Sequence, residues 1–281
     1  MAALVVVAAC SEKEATQPAP TTAERIVSLA PNLTELVYTV GAGTKLVGVS
    51  AWSDYPHEVL DLPVVGDAFM VDQEQLALLK PDLLLVWESG TPAHVVDELR
   101  GVGYNVATVR TRTLDDVAAA LQRIGNLTGH VDEAESAAAD YLAELQSLRD
   151  ENAGLEPIRV FYQVAARPLY TVNNEHYISE LITVCSGHNI FSDLTELAPT
   201  VDVEAVVDRD PEVMLASTDA GDDAFAEWQR WPEIAANRIG NHFLLPADEI
   251  GRATTRVIIA GNAMCLALRQ ARSNRDSEAA Q

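Results

Sequence analysis

Basic residues are scarce in this 281-residue chain: 19 Lys and Arg stand against 42 Asp and Glu, and the formal net charge is −23. So acidic a protein is a poor partner for nucleic acid or for an anionic membrane surface, because both repel negative charge. Long apolar runs are missing as well. No stretch reaches 18 apolar residues, so the sequence predicts no helix that crosses a bilayer in the mature protein.

The common catalytic and metal-binding motifs are also missing. The segment HEVLD (57–61) lacks the second histidine of a zinc protease helix, and GAGTK (41–45) lacks the spacing of a phosphate loop. No G-x-S-x-G motif is present. The six histidines and three cysteines follow no metal-ligand spacing. The sequence therefore favours a protein that is not an enzyme and that holds neither a metal nor a cofactor.

The N-terminus is apolar up to Cys10 and then polar and proline-bearing, over residues 1–23. An apolar run with small residues, ending in a cysteine followed by a serine, resembles a bacterial lipoprotein signal, in which the cysteine is lipidated. On this interpretation the protein is periplasmic, and a lipid on Cys10 is its only tie to the membrane. An ordinary signal peptide or a frayed end is the alternative.

Cys185 and Cys265 are the two remaining cysteines. In an exported protein two thiols most often pair. Closing a loop of this length would stabilise the fold by about 4 kcal/mol through chain entropy. Two separate buried thiols are the alternative.

Short apolar segments alternate with helical ones along most of the chain. This alternation predicts parallel sheets with helices on both faces. One segment differs, because it is rich in Ala, Leu and Glu and has no helix breaker before Gly154; it predicts one long helix of about 30 Å. We expect an α/β fold with an N-terminal lobe (24–131), a connecting helix (132–155), a C-terminal lobe (156–272) and a polar tail (273–281).

Helix boundaries are marked by capping residues in the first lobe. Asn32 and Glu35 form a capping-box-like pair that predicts the start of the first helix, and Gly41 or Gly43 predicts its end. Asp72 predicts the start of the next helix.

Part of the first lobe recurs 130 to 145 residues later. The segment VDQE (71–74) matches VDVE (201–204), and the pair EL at 35–36 resembles EL at 180–181. Several matches in the same order predict two similar lobes, with the long helix as the connector between them.

Aromatic residues follow the predicted strands of the first lobe. Trp52 and Tyr55 follow one strand, Trp87 ends another, and Phe69 lies in a loop. Ligands of open parallel sheets bind outside the carboxyl ends of the strands. The four rings would therefore form a flat apolar wall for a large planar ligand in a cleft between the lobes. Core packing is the alternative for each ring.

Six segments together resemble the substrate-binding proteins of bacterial ABC importers that take up vitamin B12, ferric siderophores and haem. They are RIVSLAPNLTELVYTVGAG, VGVSAWSDYP, LLKPDLLLVW, VCSGHNIF, LAPTVDVEAV and GRATTRVIIAG. The resemblance runs from about Arg25 to Leu268, and SDYP and the two cysteines favour the cobalamin-binding branch. It implies two parallel-sheet lobes joined by one rigid helix, the class III periplasmic-binding-protein type, with the ligand between the lobes.

The resemblance also implies roles for single residues. In the cobalamin branch, rings at the positions of Trp52 and Trp87 face the corrin, and the two cysteines are expected to form a disulfide. The expected ligand-binding set is Trp52, Tyr55, Phe69, Trp87, Asp248 and Arg252.

Glu74 and Glu204 match the acidic residues with which the family docks on arginines of the permease. An ordinary first-turn glutamate is the alternative for each. The expected partners are a corrinoid, carried as ligand rather than as cofactor, and an inner-membrane ABC permease, with the protein itself a monomer.

The second lobe is poorer in rings at the positions where the cobalamin branch often has them, at residues 164–165 and at Ala198. Tyr170, or Trp228 and Trp231 in a predicted surface helix, are candidates to compensate. Haem or a ferric siderophore is the alternative ligand. An enzyme or metallocluster subunit on a similar bilobal fold is the alternative function, and it would need clustered Cys or His ligands.

Overall fold

The structure is a computed structural model, and it describes residues 22–280. Cys10, for which we expected lipidation, lies outside the described residues. The first lobe consists of β1 (Ile26–Ser28), α1 (Pro31–Thr39), β2 (Leu46–Val49), α2 (Gln73–Leu79), β3 (Leu83–Trp87), α3 (Ala93–Gly101), β4 (Val106–Val109) and α4 (Leu114–Thr128). Helix α5 (Val131–Asn152) connects it to the second lobe.

The second lobe begins with a strand and a small antiparallel hairpin, and then repeats the plan of the first. Its elements are β5 (Ile158–Gln163), β6 (Ala165–Ala166), β7 (Leu169–Tyr170), α6 (Tyr177–Val184), β8 (Gly187–Asn189), α7 (Val203–Arg209), β9 (Val213–Ser217), α8 (Ala235–Ile239), β10 (His242–Leu245), α9 (Ala247–Gly251) and α10 (Val257–Ala279). Across the described part of the chain, no helix is both long enough and apolar enough to cross a membrane.

Each lobe contains a four-stranded parallel sheet, and the two sheets have the same topology. The order is β2-β1-β3-β4 in the first lobe and β8-β5-β9-β10 in the second. When the strands are matched in chain order within each lobe, the two orders are identical. The predicted α/β fold of two similar lobes is therefore confirmed.

Equivalent helices also end in the same way. Helix α2 ends at Lys80 and α7 at Asp210, both with left-handed backbone (φ 49° and 43°). An arginine from the first strand region of each lobe binds the last carbonyls of the helix. Arg25 donates to the carbonyl oxygen of Leu79 at 2.5 Å, and Arg159 donates to that of Asp210 at 2.8 Å. These arginines satisfy carbonyls that a helix end leaves without a partner.

The start of α1 differs from the prediction, whereas the start of α2 agrees with it. The carboxylate of Asp72 accepts from the backbone N–H of Gln75 at 2.9 Å, as expected for the residue before the helix. In α1 the capping residue is Ala30 and makes no side-chain hydrogen bond. Asn32 and Glu35 lie inside the helix and are buried, so the predicted capping pair is wrong.

Helix α5 joins the two lobes through a continuous core. Its buried residues recur every three or four positions and therefore share one face: Ala134, Ala138, Tyr141, Leu145 and Leu148. They belong to a single apolar cluster that runs from Ile26 in the first lobe to Ala271 in the second. Both lobes are therefore packed on the connecting helix.

A disulfide closes the second lobe. Cys185, just after α6, is bonded to Cys265 in α10, with the two Cα atoms 4.7 Å apart. The predicted pairing is therefore confirmed. Helix α10 continues to Ala279, so the residues expected as a polar tail (273–281) are mostly helical.

Candidate functional site

Two rings of the expected wall project from neighbouring loops of the first lobe. Trp52 follows β2 with φ of 67°, and its side chain is largely exposed (82% for the residue). The backbone N–H of Ala51 donates to the carbonyl oxygen of Gly66 at 2.7 Å, which brings the next loop alongside. In that loop Phe69 is 68% exposed, and its N–H donates to the Asp67 carboxylate at 2.8 Å. Trp52 and Phe69 thus lie on adjoining loops with their rings in solvent.

Tyr55 lies close to the second lobe. Its ring is half exposed, and the guanidinium of Arg256 lies 4.1 Å from the ring centroid. This is a cation–π distance, and it links the loop after β2 to the start of α10.

Trp87 has a different environment. It is partly buried against the core, and a Cβ added to Gly90 would lie 2.1 Å from its ring, so the ring lies over that glycine. Its Nε1 is buried without a hydrogen-bond partner. Packing thus accounts for much of the surface of Trp87, whereas Trp52 and Phe69 have little packing around them.

Glu35 forms a polar contact between the lobes. Its carboxylate accepts from Arg252 at 2.9 Å, from Thr254 at 3.0 Å and from Arg256 at 3.2 Å, all in the segment that joins α9 to α10. Only 3% of Glu35 is exposed. We call this group the Glu35 contact. Two guanidiniums and one hydroxyl therefore stabilise the buried carboxylate through hydrogen bonds.

Arg252 is the centre of the Glu35 contact. It also donates to Asp54 at 2.6 Å and to the backbone carbonyl of Trp52 at 3.2 Å, and it pairs with Asp248 at 3.1 Å. The two expected ligand-binding residues Asp248 and Arg252 are therefore brought together with Trp52. The guanidinium of Arg252 is mostly surrounded by partners from the protein itself.

The charged groups of the Glu35 contact change one another's pKa values. Burial raises the pKa of the Glu35 carboxyl, against the opposing effects of Arg252, Arg256 and Thr254. The hydrogen bond from Arg252 lowers the pKa of Asp54. Burial disfavours the charged form of Arg252, but its hydrogen bonds to Asp54 and Glu35 raise its pKa overall. Arg252 is therefore a permanent cation that is held between two lobes.

Glu180 in α6 forms another polar contact between the lobes, in the opposite direction. Its carboxylate accepts from the backbone N–H of Leu114, the first residue of α4, at 2.7 Å, and from Arg149 at 3.1 Å. Arg149 also reaches Asp115 at 3.3 Å. We call this group the Glu180 contact. Beside it, Arg112 pairs with Glu88, the residue after Trp87, at 2.8 Å.

The two contacts are equivalent under the duplication. Glu35 lies in α1 and Glu180 in α6, which are matching helices. Glu180 binds the N-terminus of α4, and Glu35 binds side chains of the segment that leads into α10. The sequence analysis missed this role, although the repeated EL pair at 35–36 and 180–181 was its signal.

Glu74 and Glu204 occupy equivalent places, each in the first turn of its helix, α2 or α7. Both side chains are exposed. Their helices follow the second strand of each sheet.

Rings of the second lobe are mostly buried. Trp228 is only 4% exposed, and its Nε1 donates to the Gln163 amide oxygen at 2.7 Å. Its ring packs edge-on against Phe161 at 5.5 Å. Trp231 is partly buried beside it. Trp228 is thus a core residue, contrary to the surface helix that the sequence suggested for this pair.

Within residues 22–280, no group of three or more His, Cys, Asp or Glu residues is placed to hold a metal ion.

Comparisons with known proteins agree with this architecture. The family described as periplasmic binding protein matches residues 26–249. A vitamin B12-binding protein of Vibrio cholerae is 36% identical over 251 residues, covering 89% of this chain and 91% of that protein. A vitamin B12-binding protein of Yersinia pestis is 34% identical, covering 86% and 85%.

Superposition on solved structures agrees with these sequence comparisons. The periplasmic vitamin B12 binding protein BtuF of Vibrio cholerae superposes with a TM-score of 0.82 at 35% identity, covering 90% of this chain and 99% of that one. A periplasmic haem-binding protein of Pseudomonas aeruginosa superposes with a TM-score of 0.77 at 25% identity, covering 87% and 92%.

Proposed function

The chain belongs to the periplasmic binding protein family, and from that premise we propose that it binds cobalamin or a related corrinoid between its lobes and delivers it to an inner-membrane ABC permease. The observation that carries the proposal is its 36% identity to a vitamin B12-binding protein over nearly the full length of both chains. In this role the protein is a monomeric carrier without catalysis or cofactor.

The exposed rings support a large planar ligand. An exposed tryptophan on a left-handed backbone is unfavourable by about 1–2 kcal/mol in the free protein, and strain of this kind is characteristic of functional sites. Among the described residues, four other than glycine have positive φ: Trp52, Lys80, Ser186 and Asp210. Trp52 is the one of these four that does not lie at the C-terminal end of a helix. With Phe69 and Tyr55, its ring offers apolar area that a corrin face would cover.

The charges around the rings favour a corrinoid over a carboxylate-bearing ligand. Arg252 and Arg256 face four carboxylates, those of Glu35, Asp54, Asp248 and Glu249. This group has a net negative charge, so it would repel the carboxylates of haem or of an anionic siderophore. A corrin periphery carries neutral amides, which donate hydrogen bonds to carboxylates. Arg252 and Asp248 would then act by holding the Trp52 loop and by accepting such bonds.

Trp87 completes the proposed ligand-binding set with Trp52, Tyr55 and Phe69. It ends β3, and the Arg112–Glu88 pair next to it lies beside the Glu180 contact. A ligand that spans from one interlobe contact to the other would reach both Trp52 and Trp87.

Glu74 and Glu204 are proposed to dock on the permease. Both are exposed first-turn residues of matching helices, so two lobes related by duplication would present them to one partner surface. Carboxylates pair well with arginine side chains, and two such pairs set orientation as well as attraction. Lipidation of Cys10 would tether the carrier to the membrane.

Calorimetry with cyanocobalamin tests the ligand. We expect a dissociation constant of about 1 μM or tighter, which corresponds to about −8 kcal/mol. Haem and a ferric catecholate are titrated in parallel as competing ligands. Tight binding of either one, together with no binding of cyanocobalamin, would refute the corrinoid assignment.

Transport assays test docking separately. Glu74→Ala and Glu204→Ala should each reduce corrinoid uptake partly, and the double variant much more, because exposed ion pairs are individually weak. Cyanocobalamin affinity of the soluble protein should stay unchanged in all three. Normal uptake by the double variant would exclude the docking role.

A further inference from the structure

A pocket of about 560 Å³ lies beside the C-terminal half of α10 in the second lobe. Leu155, which shortly precedes β5, lines it, so the pocket is near the amino end of the sheet. The proposed corrinoid cleft lies at the carboxyl ends of the strands, at the opposite end of the sheet. We call this second feature the α10 pocket.

One face of α10 provides most of the lining. The lining positions are 269, 272, 273, 276, 277 and 280, and such alternating spacings of three and one place the residues on the same side of a helix. The charges and hydrogen-bond donors of the pocket therefore come from one rigid element, and the helix fixes the distances between them.

Two arginines of this face have only neutral partners. Arg272 is buried, with 8% of the residue exposed, and its guanidinium donates to three backbone carbonyl oxygens after α5 and α6, at 2.7–2.9 Å. Arg269 donates to the side-chain oxygen of Asn152 at 2.6 Å. Among the residues that the structure describes, no carboxylate forms an ion pair with either arginine, so both positive charges lack a counter-charge.

The Nη1 atom of Arg272 is buried without a hydrogen-bond partner in the described part of the chain. A buried charged donor that lacks a partner is costly. Burial and the charges of Arg275 and Arg269 lower the pKa of Arg272, although Glu212 opposes them. Arg275 is itself paired with three carboxylates. An anion in the α10 pocket would therefore supply the charge that Arg269 and Arg272 lack.

The donors of the pocket suit a tetrahedral oxyanion. Guanidiniums bind phosphate oxygens through paired N–H groups. Ser273 follows Arg272 and lies one turn after Arg269, so its hydroxyl adds a third donor on the same face. A carboxylate has only two oxygens for these three groups. Asp276, one turn further along α10, repels negative charge, so the anion would lie at the Arg269 end of the pocket.

We propose that the α10 pocket binds a phosphate group, held by the guanidiniums of Arg269 and Arg272 and by the hydroxyl of Ser273. Inorganic phosphate and the headgroup of an anionic phospholipid both offer this group. Binding would neutralise Arg272 and stabilise the turn that this arginine holds at the disulfide, through the carbonyl oxygen of Cys185. The site is independent of the proposed corrinoid function.

Titration of the mature protein with inorganic phosphate tests the site, with the side-chain N–H signals of arginine followed by NMR. The signals of Arg269 and Arg272 should shift together, with a dissociation constant of about 1 mM or tighter. Arg269→Met should weaken phosphate binding about tenfold, because it removes a charge-assisted hydrogen bond. Arg272 is left unchanged in every variant, because it also holds the backbone.

Two further variants of α10 are the controls. Arg275→Met removes the same charge from the same helix, but Arg275 does not line the pocket, so phosphate affinity should change less than about threefold. Asp276→Asn removes a negative charge from the pocket and should strengthen phosphate binding about twofold. Thermal unfolding confirms that the variants fold, and cyanocobalamin affinity should stay unchanged in all of them.

Vesicles distinguish the two sources of the phosphate group. The protein is sedimented with phosphatidylcholine vesicles that contain or lack phosphatidylglycerol. Sedimentation that requires phosphatidylglycerol and is lost in Arg269→Met assigns the site to a lipid headgroup. Binding of inorganic phosphate without sedimentation assigns it to free phosphate.

The proposal is overturned if phosphate leaves the Arg269 and Arg272 signals unshifted and phosphatidylglycerol causes no sedimentation. Equal weakening by Arg269→Met and Arg275→Met would also overturn it, because the response would then reflect the general charge of the surface. Neither result would affect the corrinoid proposal, which is measured separately with cyanocobalamin.

Discussion

The two lobes share one sheet topology but use their aromatic residues in opposite ways. The first lobe leaves Trp52 and Phe69 in solvent, at 82% and 68% exposure. The second buries Phe161, Phe191 and Trp228 in a separate apolar cluster and forms a recess above it. Two lobes with the same backbone topology can therefore differ in their surfaces, one with exposed rings and the other with a recess. This is possible because the side chains at strand ends are not needed to hold the sheet together.

The disulfide is the largest difference in covalent structure between the described parts of the lobes. Residues 22–156 contain no cysteine, whereas Cys185–Cys265 closes a loop across 80 positions in the second lobe. Replacing both with alanine should lower the free energy of unfolding by roughly 4–5 kcal/mol, mainly by loosening the unfolded chain. Urea unfolding measures this.

Reductant is the control for the disulfide. It should destabilise the unmodified protein by a similar amount and leave the alanine variant unaffected. A loss below about 1 kcal/mol would show that the bond contributes little beyond what α6 and α10 gain by packing.

Two tryptophans give the most direct test of the contrast between the lobes. Trp228→Ala should cost about 3–4 kcal/mol of stability, because it empties a core site and removes the hydrogen bond to Gln163. Trp52→Ala should change stability by less than about 0.5 kcal/mol and weaken cyanocobalamin by about 1–3 kcal/mol. Urea unfolding and calorimetry on both variants measure the pair. Equal loss of stability in the two would remove the distinction between an exposed wall and a buried core.

The second lobe should also respond more strongly to acid through His176. This residue caps α6, where its Nδ1 accepts from the backbone N–H of Ile178 at 3.2 Å, and burial lowers its pKa to about 4. The unfolded state takes up a proton below about pH 6.5, while the folded state stays neutral. Stability is therefore full above about pH 6.5 and should fall by roughly 2–3 kcal/mol as the pH drops to 4.

Two histidine variants test whether His176 causes this pH dependence. His176→Asn keeps an acceptor for the helix N-terminus but does not titrate, so the slope of stability between pH 6.5 and 4 should become shallower. His57→Asn is the matched control, because His57 is exposed in the first lobe and should leave the slope unchanged. Identical slopes for all three proteins would mean that other groups cause the acid sensitivity.

The smallest expected effect concerns a feature that the lobes have in common. Arg25→Met and Arg159→Met each remove the guanidinium that binds the end of α2 or α7, and each should cost about 1 kcal/mol. The two losses should agree within about 1 kcal/mol, because the ion pair of Arg159 with Asp210 is exposed and contributes little, and Glu212 keeps Arg275 as a partner. Urea unfolding measures both losses. A much larger loss in one lobe would show that the ends of α2 and α7 are not equally stabilised by their arginines.

Most of the architecture could be predicted from periodicity and repetition. Alternating apolar segments indicated parallel sheets, Asp72 marked the start of α2, and the face of α5 is evident from its spacing. Strand β8 was missed because it is three residues long and polar, so no pattern distinguishes Gly187–Asn189 from a turn. Its pairing with β5 depends on tertiary structure.

The candidate site was less predictable. The sequence showed which rings lie at strand ends. Whether such a ring is exposed to solvent or packed in the core depends on its neighbours, such as the glycine beneath Trp87 or the amide of Gln163 beside Trp228. The assignment of Glu35 to a cap followed a local rule, which burial against the other lobe overrode. No local pattern shows that a side chain pairs with residues more than 200 positions away.

The reciprocal placement of Glu35 and Glu180 has a kinetic consequence. Because each of these glutamates ties its own lobe to the other one, we expect the two walls of the cleft to keep nearly the same separation when a ligand binds. Little conformational entropy then remains to be lost on binding, and no slow closing step follows encounter. Ligand capture should therefore follow a single exponential whose rate rises linearly with ligand concentration, without the plateau that marks a rate-limiting rearrangement.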